Sequence, residues 1–336
     1  GQLTITAGGK VVLANNGYNP TAGDIFNLID WTGSALSLNL GGISYNGGLF
    51  RTGAELGTDL DLFELGYGLL YDVSQFNTTG NILVVQASSR QVYWNGDQDS
   101  NWNTNDAGNT NWLDGPEGAD LAGTPAFTDD VYFTANSAAN FATTLGGHFV
   151  INNLFFGVGA NAGTGASINT GAHTLTLYGG INQASGSAAN TISGAGGVVL
   201  AQAQTWTNNS TTNALTVSAP VSGTAALTKA GDGTIILSGT NTYSDATMVA
   251  AGTLQLGDGT STGSLSTTSG ITVASGATFA VNQNDTVTQG VDFSGAAISG
   301  EGSFAQIGSG TTILTAANIY TGTTTVSGGT LQLGDG

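Results

Sequence analysis

The sequence LTKAGDGTIILSGTNTYSDATMVAAGTLQLGDG occupies residues 227–259, and FAQIGSGTTILTAANIYTGTTTVSGGTLQLGDG occupies residues 304–336. The two stretches align without a gap at an offset of 77 residues (336 minus 259), and about half of the aligned positions are identical. An ungapped internal repeat of this kind indicates a repeat architecture, in which each copy encodes one supersecondary unit. The repeat therefore decides the fold class.

Each copy contains two short runs in which apolar residues alternate with hydroxyl or amide residues, such as TIILS and TLQLG in the first copy. A period of two marks strands with one buried face. Glycine, asparagine and aspartate separate the runs, and these residues favour tight turns. A single unit cannot bury its apolar face, so neighbouring units must stack. The pattern predicts an all-β fold, namely a right-handed β-solenoid (β-helix) with short rungs, Gly/Asn turns and an N-terminal β-module.

Two polar positions recur in the repeat. Asn241 and Asn318 occupy the same place in the two copies, and Tyr243 and Tyr320 follow two residues later. We expect the asparagines to form an internal ladder at a corner, where they bond backbone groups from rung to rung, and we expect the tyrosines to cover the adjacent turn. The alternative is that these four side chains face a ligand.

The first copy resembles the passenger-associated repeat of autotransporters, also called the autotransporter-associated β-strand repeat. The pattern LxKxGxGTxxLSGxNTY…GTLxLG is complete over residues 227–259, whereas the second copy has Gln306 in place of the lysine and TAANIY at 315–320 in place of SGxNTY. The resemblance implies a secreted or surface-exposed bacterial β-helix of the Verrucomicrobia type, from a bacterium with an outer membrane. It also implies that the repeat is a structural and export element.

Composition excludes several function classes. Only four residues are basic (Lys10, Arg51, Arg90 and Lys229), and the net charge is −18. Nucleic-acid binding requires clustered cations, so we exclude it, and anionic membrane surfaces are disfavoured for the same reason. Charged residues make up only 8% of the chain but hydrophobic residues reach 40%, which favours ordered β-structure over disorder.

The chain has no cysteine, so it has neither disulfides nor thiol chemistry, and stability must come from repetitive stacking. No run is long and apolar enough to predict a membrane span in this segment. The sequence begins at Gly1 without a methionine and stops at the end of a repeat. We therefore expect it to be processed or excerpted from a longer protein.

Three segments differ in character. We predict that residues 1–88 form a closing β-module, the end of a preceding solenoid unit, and that residues 89–135 form a Trp/Asn-rich capping or junction segment. We predict that residues 136–336 form the β-solenoid that carries both repeats. The opening sequence LTITAGGKVVLANN (3–16) matches ITVASGATFAVNQN (271–284) in its order of strand, glycine turn, strand and asparagine.

The junction segment contains Trp94, Trp102 and Trp112 among many asparagines and aspartates. One interpretation is a cap, in which the three indoles seal the end of the solenoid. The other is a glycan contact, because indole faces stack on sugar rings. The sequence alone leaves both open.

Other constellations give weaker support for chemistry. The loop Asp97–Asn103 resembles a calcium loop, but Trp102 stands where an EF-hand needs glycine and Gly108 where it needs glutamate, so we predict no metal and no cofactor. His148 and His173 each head a strand without a metal-ligating neighbour.

A polysaccharide-cleaving β-helix enzyme is the remaining catalytic hypothesis. Asp129 and Asp130 are adjacent carboxylates, and Arg90 is a cation that could hold an acidic sugar. No second basic residue accompanies Arg90, and the pairs Asp59/Asp61 and Asp97/Asp99 are equally unsupported. We predict that the protein is not an enzyme.

The sequence thus favours a structural module of a long extracellular or cell-surface β-solenoid fibre or of an autotransporter-like passenger. In either case we expect identical units to join head to tail, as separate subunits of a filament or as a tandem array within a longer chain. The assembly ends would be Leu3 and Ile5 at one end and Leu331 and Leu333 at the other. The alternative, from a different class, is an adhesin that binds surface glycans through the three tryptophans.

Overall fold

Strands, turns and irregular segments make up the chain wherever the computed structural model describes it, and none of the described residues lies in a helix. The described residues are 11–13, 20–27, 49–50, 60–62, 69–72, 81–86, 89–106, 108–121, 123–134, 138–157, 165–260 and 263–334. The all-β prediction is therefore confirmed. None of these segments forms a helix with the length and apolarity needed to cross a membrane.

The chain divides into two units, Gly1–Ser89 and Arg90–Gly336. The described strands of the first unit are β1 (Val11–Leu13), β2 (Ile25–Asn27), β3 (Leu49–Phe50), β4 (Leu60–Leu62), β5 (Leu69–Asp72) and β6 (Asn81–Gln86). Strands β2, β6, β5 and β3 form an antiparallel sheet in that order, whereas β1 and β4 form a two-stranded parallel sheet. Leu3 and Ile5 lie outside the described residues.

The second unit contains the remaining strands. They are β7 (Gln91–Trp94), β8 (Asn105–Asp106), β9 (Asn109–Thr110), β10 (Trp112–Leu113), β11 (Asp130–Phe133), β12 (Ala142–Thr144), β13 (Phe149–Phe156), β14 (Ser167–Asn169), β15 (Leu175–Gln183), β16 (Asn190–Ser193), β17 (Val198–Leu200), β18 (Gln204–Asn208), β19 (Leu215–Val217), β20 (Val221–Gly223), β21 (Leu227–Ala230), β22 (Thr234–Leu237), β23 (Thr247–Val249), β24 (Thr253–Leu256), β25 (Ile271–Val273), β26 (Thr278–Val281), β27 (Thr286–Thr288), β28 (Ser303–Gln306), β29 (Thr311–Leu314), β30 (Thr324–Val326) and β31 (Thr330–Leu333).

Three sheets run along the second unit. The first solenoid sheet has the order β10-β7-β11-β13-β15-β18-β21-β23-β25, with β17 added on β15 and β20 on β17. The second has the order β12-β14-β16-β19-β22-β24-β26-β28-β30, and the third is β27-β29-β31. Strand β10 pairs with β7 in the antiparallel sense, and the other neighbours in these sheets are parallel. Successive strands alternate between sheets, which produces a β-solenoid of about eight turns and confirms the predicted fold class.

The interior is filled by columns of side chains from in-register strands. Along the second sheet, the inward residues at one register position are Ile168, Ile192, Val217, Leu237, Leu256, Val281, Gln306 and Val326. The alternation of buried and half-buried positions on these strands follows from the period-two sequence pattern. Each fully buried aliphatic side chain contributes about 1.5–3 kcal/mol, so stacking holds the rungs together without cross-links.

The two repeat copies do not occupy the same sheets. Strands β21 to β24 of the first copy alternate between the first and second sheets, whereas β28 to β31 of the second copy alternate between the second and third. Each strand of the second copy therefore lies one sheet further along than the strand of the first copy to which it is equivalent in sequence.

Candidate functional site

The three tryptophans of the junction segment form one cluster. Trp112 contacts both Trp94 and Trp102 edge to face, with ring centroids 5.0 Å apart in each pair, and Phe133 packs against all three. All three tryptophan side chains are fully buried. Edge-to-face pairs of this kind stabilise a core beyond the area they bury.

Each indole N–H of this cluster already has an acceptor. Trp94 donates to the Ala139 carbonyl (3.0 Å), Trp102 to the Thr143 hydroxyl (3.0 Å) and Trp112 to the Trp102 carbonyl (2.8 Å). A sugar needs an exposed indole face, and in this structure other side chains cover these faces. The arrangement suits packing, and it does not offer the three indoles to a glycan.

The Asp97–Asn103 loop is organised around the Asp99 carboxylate. This carboxylate accepts hydrogen bonds from the Asn101 N–H (2.7 Å), the Thr104 hydroxyl (2.8 Å) and the Asn111 amide (2.6 Å). Burial raises the pKa of Asp99, but these hydrogen bonds outweigh burial and hold the pKa below its ordinary value. In the described part of the chain, no group of three or more metal-ligating side chains is placed to hold an ion.

The adjacent carboxylates Asp129 and Asp130 serve different contacts. Asp129 is buried and forms a bidentate ion pair with Arg90, with Nε to Oδ1 at 3.0 Å and Nη2 to Oδ2 at 2.6 Å. Asp130 accepts from the side-chain amides of Asn152 and Asn153, both at 2.8 Å. Bidentate pairing fixes the carboxylate geometrically. Asp61 lies in β4 and Asp59 falls outside the described residues.

His148 and His173 lie on adjacent rungs and contact each other, with ring centroids 5.2 Å apart and planes nearly perpendicular. Nδ1 of His148 accepts from the Thr174 N–H (3.1 Å). That nitrogen is therefore occupied by the backbone of the following rung. In sequence the two histidines look independent, because their spacing of 25 residues does not indicate that successive rungs bring them into contact.

In the first repeat copy, Asn241 is 1% exposed and bonds three backbone groups. Its Oδ1 accepts from the Val221 N–H (3.1 Å), and its Nδ2 donates to the carbonyls of Gly239 (2.9 Å) and Ser264 (2.8 Å). Val221 belongs to the rung before and Ser264 to the rung after. Asn241 thus ties three consecutive rungs at one corner.

In the second copy, Asn318 makes the equivalent contact with the preceding rung. Its Oδ1 accepts from the Ile298 N–H (2.7 Å), which lies 77 residues after Val221. Its Nδ2 donates to the Gln289 side chain (3.0 Å) instead of to a following rung. Asn318 is half-buried, so the same residue is less enclosed here.

The tyrosines repeat this contrast. The Tyr243 hydroxyl bonds the Thr247 hydroxyl at 2.8 Å and Tyr243 is fully buried, which raises the pKa of its phenol. The Tyr320 hydroxyl bonds the Thr324 hydroxyl at 2.7 Å, and Tyr320 is half-buried. The two tyrosines therefore make the same hydrogen bond to a threonine four residues later, but Tyr243 is buried and Tyr320 is only half-buried.

Lys229 is a fully buried cation inside the solenoid, in register with Trp206 on one side and Val249 on the other. Its Nζ donates to the carbonyls of Gly231 and, at 2.8 Å, Ala251. Burial lowers the pKa of Lys229 to about 8, and Asp232 opposes this shift.

In the second copy, a neutral amide takes the place of the buried Lys229 ammonium as donor to the interior carbonyl. Gln306 is buried, and its Nε2 donates to the Gly308 carbonyl (2.9 Å), the equivalent of Gly231. Gly252 and Gly329 close this corner in the two copies with φ of +60° and +57°, a region that favours glycine. The departure from the repeat pattern at Gln306 therefore keeps the contact and removes the charge.

The end of the second copy exposes apolar side chains whose equivalents are buried. Val326 is 51% exposed whereas Val249 is 0% exposed, and Leu333 is 79% exposed whereas Leu256 is 1% exposed. Leu331 is partly buried against the core. In the first copy the β25–β26 rung covers this surface. The sequence-predicted end residues Leu331 and Leu333 therefore belong to one apolar face, here called the end face (Thr324–Leu333).

Stacked parallel rungs with a recurring asparagine corner define a β-solenoid repeat protein. Comparison with known families agrees, because the family described as Passenger-associated-transport-repeat matches residues 227–256 and 304–333. These matches agree with the autotransporter-passenger repeat resemblance that the two sequence repeats carry.

One curated relative is the "Adhesin BmaC autotransporter" of Brucella suis biovar 1 (strain 1330), which is 27% identical over 368 residues. The alignment covers 96% of this chain and 10% of that protein, so the chain spans about a tenth of the relative's length. No solved structure gives a significant match.

Proposed function

We propose that this chain is a structural module of a surface-displayed autotransporter passenger, in which the solenoid is a stalk. The observation that carries the proposal is the continuous parallel stacking in the second unit, filled by apolar columns and tied by Asn241 across three rungs. A parallel solenoid lengthens by adding rungs and keeps its cross-section. It therefore suits a protein that projects away from a cell.

The proposed location is the surface of a bacterium with an outer membrane. The matching repeat family and the autotransporter relative support this location. Antibody labelling of intact producing cells tests it, and signal that appears only after lysis would contradict it.

We propose that the module is not catalytic. The two adjacent carboxylates that could suggest catalysis already have partners. Asp129 is paired with Arg90, and Asp130 accepts hydrogen bonds from two asparagine amides. Release of reducing ends from acidic and neutral polysaccharides tests this proposal. We expect no release above the rate of a heat-denatured sample.

Fibre formation is part of the proposal, with identical units joined head to tail. The parallel stacking within the second unit supports it, because each rung there is covered by the next, as β25 and β26 cover β23 and β24. Such a contact joins different surfaces of the two partners, so it propagates instead of closing. Electron microscopy and sedimentation of the purified chain test it. Filaments one solenoid wide are expected, and a monomer at every concentration would contradict the fibre.

Adhesion is the second candidate function, favoured by the similarity of this chain to a protein named as an adhesin. The tryptophan cluster is buried, so a ligand would need another surface. On the outer face of the first solenoid sheet, Tyr132 stacks on Tyr93 (ring centroids 4.8 Å apart) and on Phe155 (4.4 Å) beside the Gln91 amide. Tyr132→Ala should lower glycan-array binding if this ridge is adhesive, whereas Tyr320→Ala, at the far end, should not.

A further inference from the structure

We infer that Tyr93 and Tyr132 form a site of oxidative cross-linking, at which hydrogen peroxide and a haem peroxidase join the two rings through a carbon–carbon bond. The bond ties strand β7 to strand β11 in a chain that has no cysteine and therefore no disulfide. The inference depends neither on the proposed fibre nor on adhesion, because it follows from contacts within one copy of the chain.

The two tyrosines lie side by side on the outer face of the first solenoid sheet. Strands β7 and β11 pair in the parallel sense, and Tyr93 lies directly opposite Tyr132. Side chains at one register position of neighbouring strands are close enough to interact. The centroids of the two phenol rings are 4.8 Å apart, and the ring planes are inclined by only 18°. The two rings are therefore held in contact before any reaction takes place.

The Gln91 side chain aligns the two hydroxyl groups. The Tyr93 hydroxyl donates to Oε1 of Gln91 (3.1 Å), and Nε2 of Gln91 donates to the Tyr132 hydroxyl (3.3 Å). Because both phenol oxygens meet the same amide, the two stacked rings point in the same direction. This orientation brings the Cε carbons of the two rings, which flank the hydroxyl-bearing carbons, next to each other.

The site is open to a small oxidant on one side. Tyr132 is half-buried, and Tyr93, which is 9% exposed, bonds through its hydroxyl to the exposed side chain of Gln91. Burial raises the pKa of both phenols, and the Asp130 carboxylate adds to the rise at Tyr132. Both phenols are therefore protonated at neutral pH, and each must lose a proton together with its electron.

The reaction needs a two-electron oxidant, and hydrogen peroxide supplies it when the haem peroxidase reduces it to two molecules of water. Each phenol gives up one electron and its hydroxyl proton, which leaves a tyrosyl radical with spin density at Cε. The two Cε carbons then form one bond. The hydrogen on each joined Cε leaves as a proton while the ring oxygen gains one, so both rings become phenols again. The chain has lost two hydrogen atoms in all.

The neighbouring ring contacts restrict coupling to this pair. Phe155 stacks on the other face of Tyr132, with ring centroids 4.4 Å apart, but it has no hydroxyl and gives no phenoxyl radical. Among the described residues no other two tyrosines are in ring contact, since the rings that contact Tyr178 and Tyr320 belong to phenylalanines. The geometry therefore selects one product.

The cross-link closes the segment that carries the tryptophan cluster. Tyr93 and Tyr132 are 39 residues apart (132 minus 93), and Trp94, Trp102 and Trp112 all lie between them. A cross-link stabilises a protein mainly by restricting the unfolded chain. The Tyr93–Tyr132 bond can therefore secure this segment as a disulfide does in other extracellular proteins.

Treatment of the dilute, purified chain with hydrogen peroxide and a haem peroxidase tests the site. Dityrosine fluorescence should appear in the monomer band of a denaturing gel. Digestion should release a linked pair of peptides, one with Tyr93 and one with Tyr132, whose mass is lower by two hydrogen atoms than the sum of the two. Because the rings are already in contact, the yield in the monomer should be at least about tenfold higher than in Tyr93→Phe or Tyr132→Phe.

Tyr178→Phe is the matched control, because Tyr178 is also half-buried on the first solenoid sheet, and this variant should keep the full yield. The treated wild-type chain should melt several degrees higher than the untreated chain, whereas treated Tyr132→Phe should show no rise. Dityrosine that persists in both phenylalanine variants, or that forms only between chains, would overturn the assignment. A treated wild-type chain without dityrosine would overturn it as well.

Discussion

The two repeat copies form the same asparagine corner, at Asn241 and Asn318, but they differ in whether a following rung covers them. Residues 227–256 lie between two rungs, whereas among the described strands β30 and β31 have a neighbouring rung on one side only. As a result, Val249 and Leu256 are buried and Val326 and Leu333 are exposed, although the local hydrogen bonds of Asn241 and Asn318 to the preceding rung are the same. In a solenoid the sequence of a rung specifies its shape, and its neighbours supply most of its burial.

The largest expected difference concerns the stacked leucines. Leu256→Ala should lower the free energy of unfolding by about 2–5 kcal/mol, because it leaves a cavity between two rungs. The matched change Leu333→Ala should cost less than about 0.5 kcal/mol in the single chain. Denaturant unfolding of dilute protein measures both, and equal losses would contradict the burial contrast.

The next effect concerns the buried charge that only the first copy has. The pKa of Lys229 is lowered to about 8 from 10.5, so above about pH 8 the unfolded chain holds more protons at this residue than the folded chain. Stability should therefore rise with pH from 8 to 9.5, by about 2 kcal/mol at 1.36 kcal/mol per pH unit. Above that window the tyrosines oppose the trend, because burial raises the pKa of Tyr243.

Lys229→Gln is the matched control, since Gln306 already fills this position in the second copy. The variant should fold and should lose the rise in stability between pH 8 and 9.5. A rise that persists in Lys229→Gln would assign it to another group.

A smaller difference is expected for the asparagines. Asn241→Ala should cost about 2 kcal/mol and Asn318→Ala about 1 kcal/mol, because the first leaves buried backbone groups of three rungs without partners. Thr323→Ala, at an exposed position, should change stability by less than about 0.5 kcal/mol. If Asn241→Ala resembles Thr323→Ala, the corner is not held by the asparagine.

Removal of divalent cations is expected to have no effect on stability. EDTA should leave the melting temperature unchanged, because protein donors already bond the Asp99 carboxylate. A decrease of several degrees, restored by calcium, would show that the Asp97–Asn103 loop binds metal.

Period-two alternation and the ungapped repeat were enough to predict the fold class, because both are local properties of the chain. They could not predict that the second copy shifts by one sheet, since this depends on how the turns between 282 and 302 fold. The burial of Lys229 could not be predicted either. A lysine is buried only where acceptors bind its ammonium group, and the Gly231 and Ala251 carbonyls come together around Lys229 only when the rungs stack.

The candidate sites were less predictable than the fold. Composition identified Trp94, Trp102 and Trp112 but could not decide between a cap and a ligand surface, because indoles suit both. Their packing on Phe133 and their internal acceptors became visible only in three dimensions. The interpretation of residues 1–88 as a closing module, and of 89–135 as a junction, stays a prediction.

The most direct test of the comparison is amide hydrogen exchange at Thr324 and Thr247, measured residue by residue in dilute and in concentrated samples. The Thr247 amide bonds the Gly270 carbonyl of the following rung, and Thr324 is its equivalent at the end face. Thr324 should exchange at least about a hundredfold faster than Thr247 in the dilute chain, and it should become as protected as Thr247 on assembly. Equal protection in the dilute chain, or no gain on concentration, would contradict the claim that covering by a neighbouring rung is what separates the two copies.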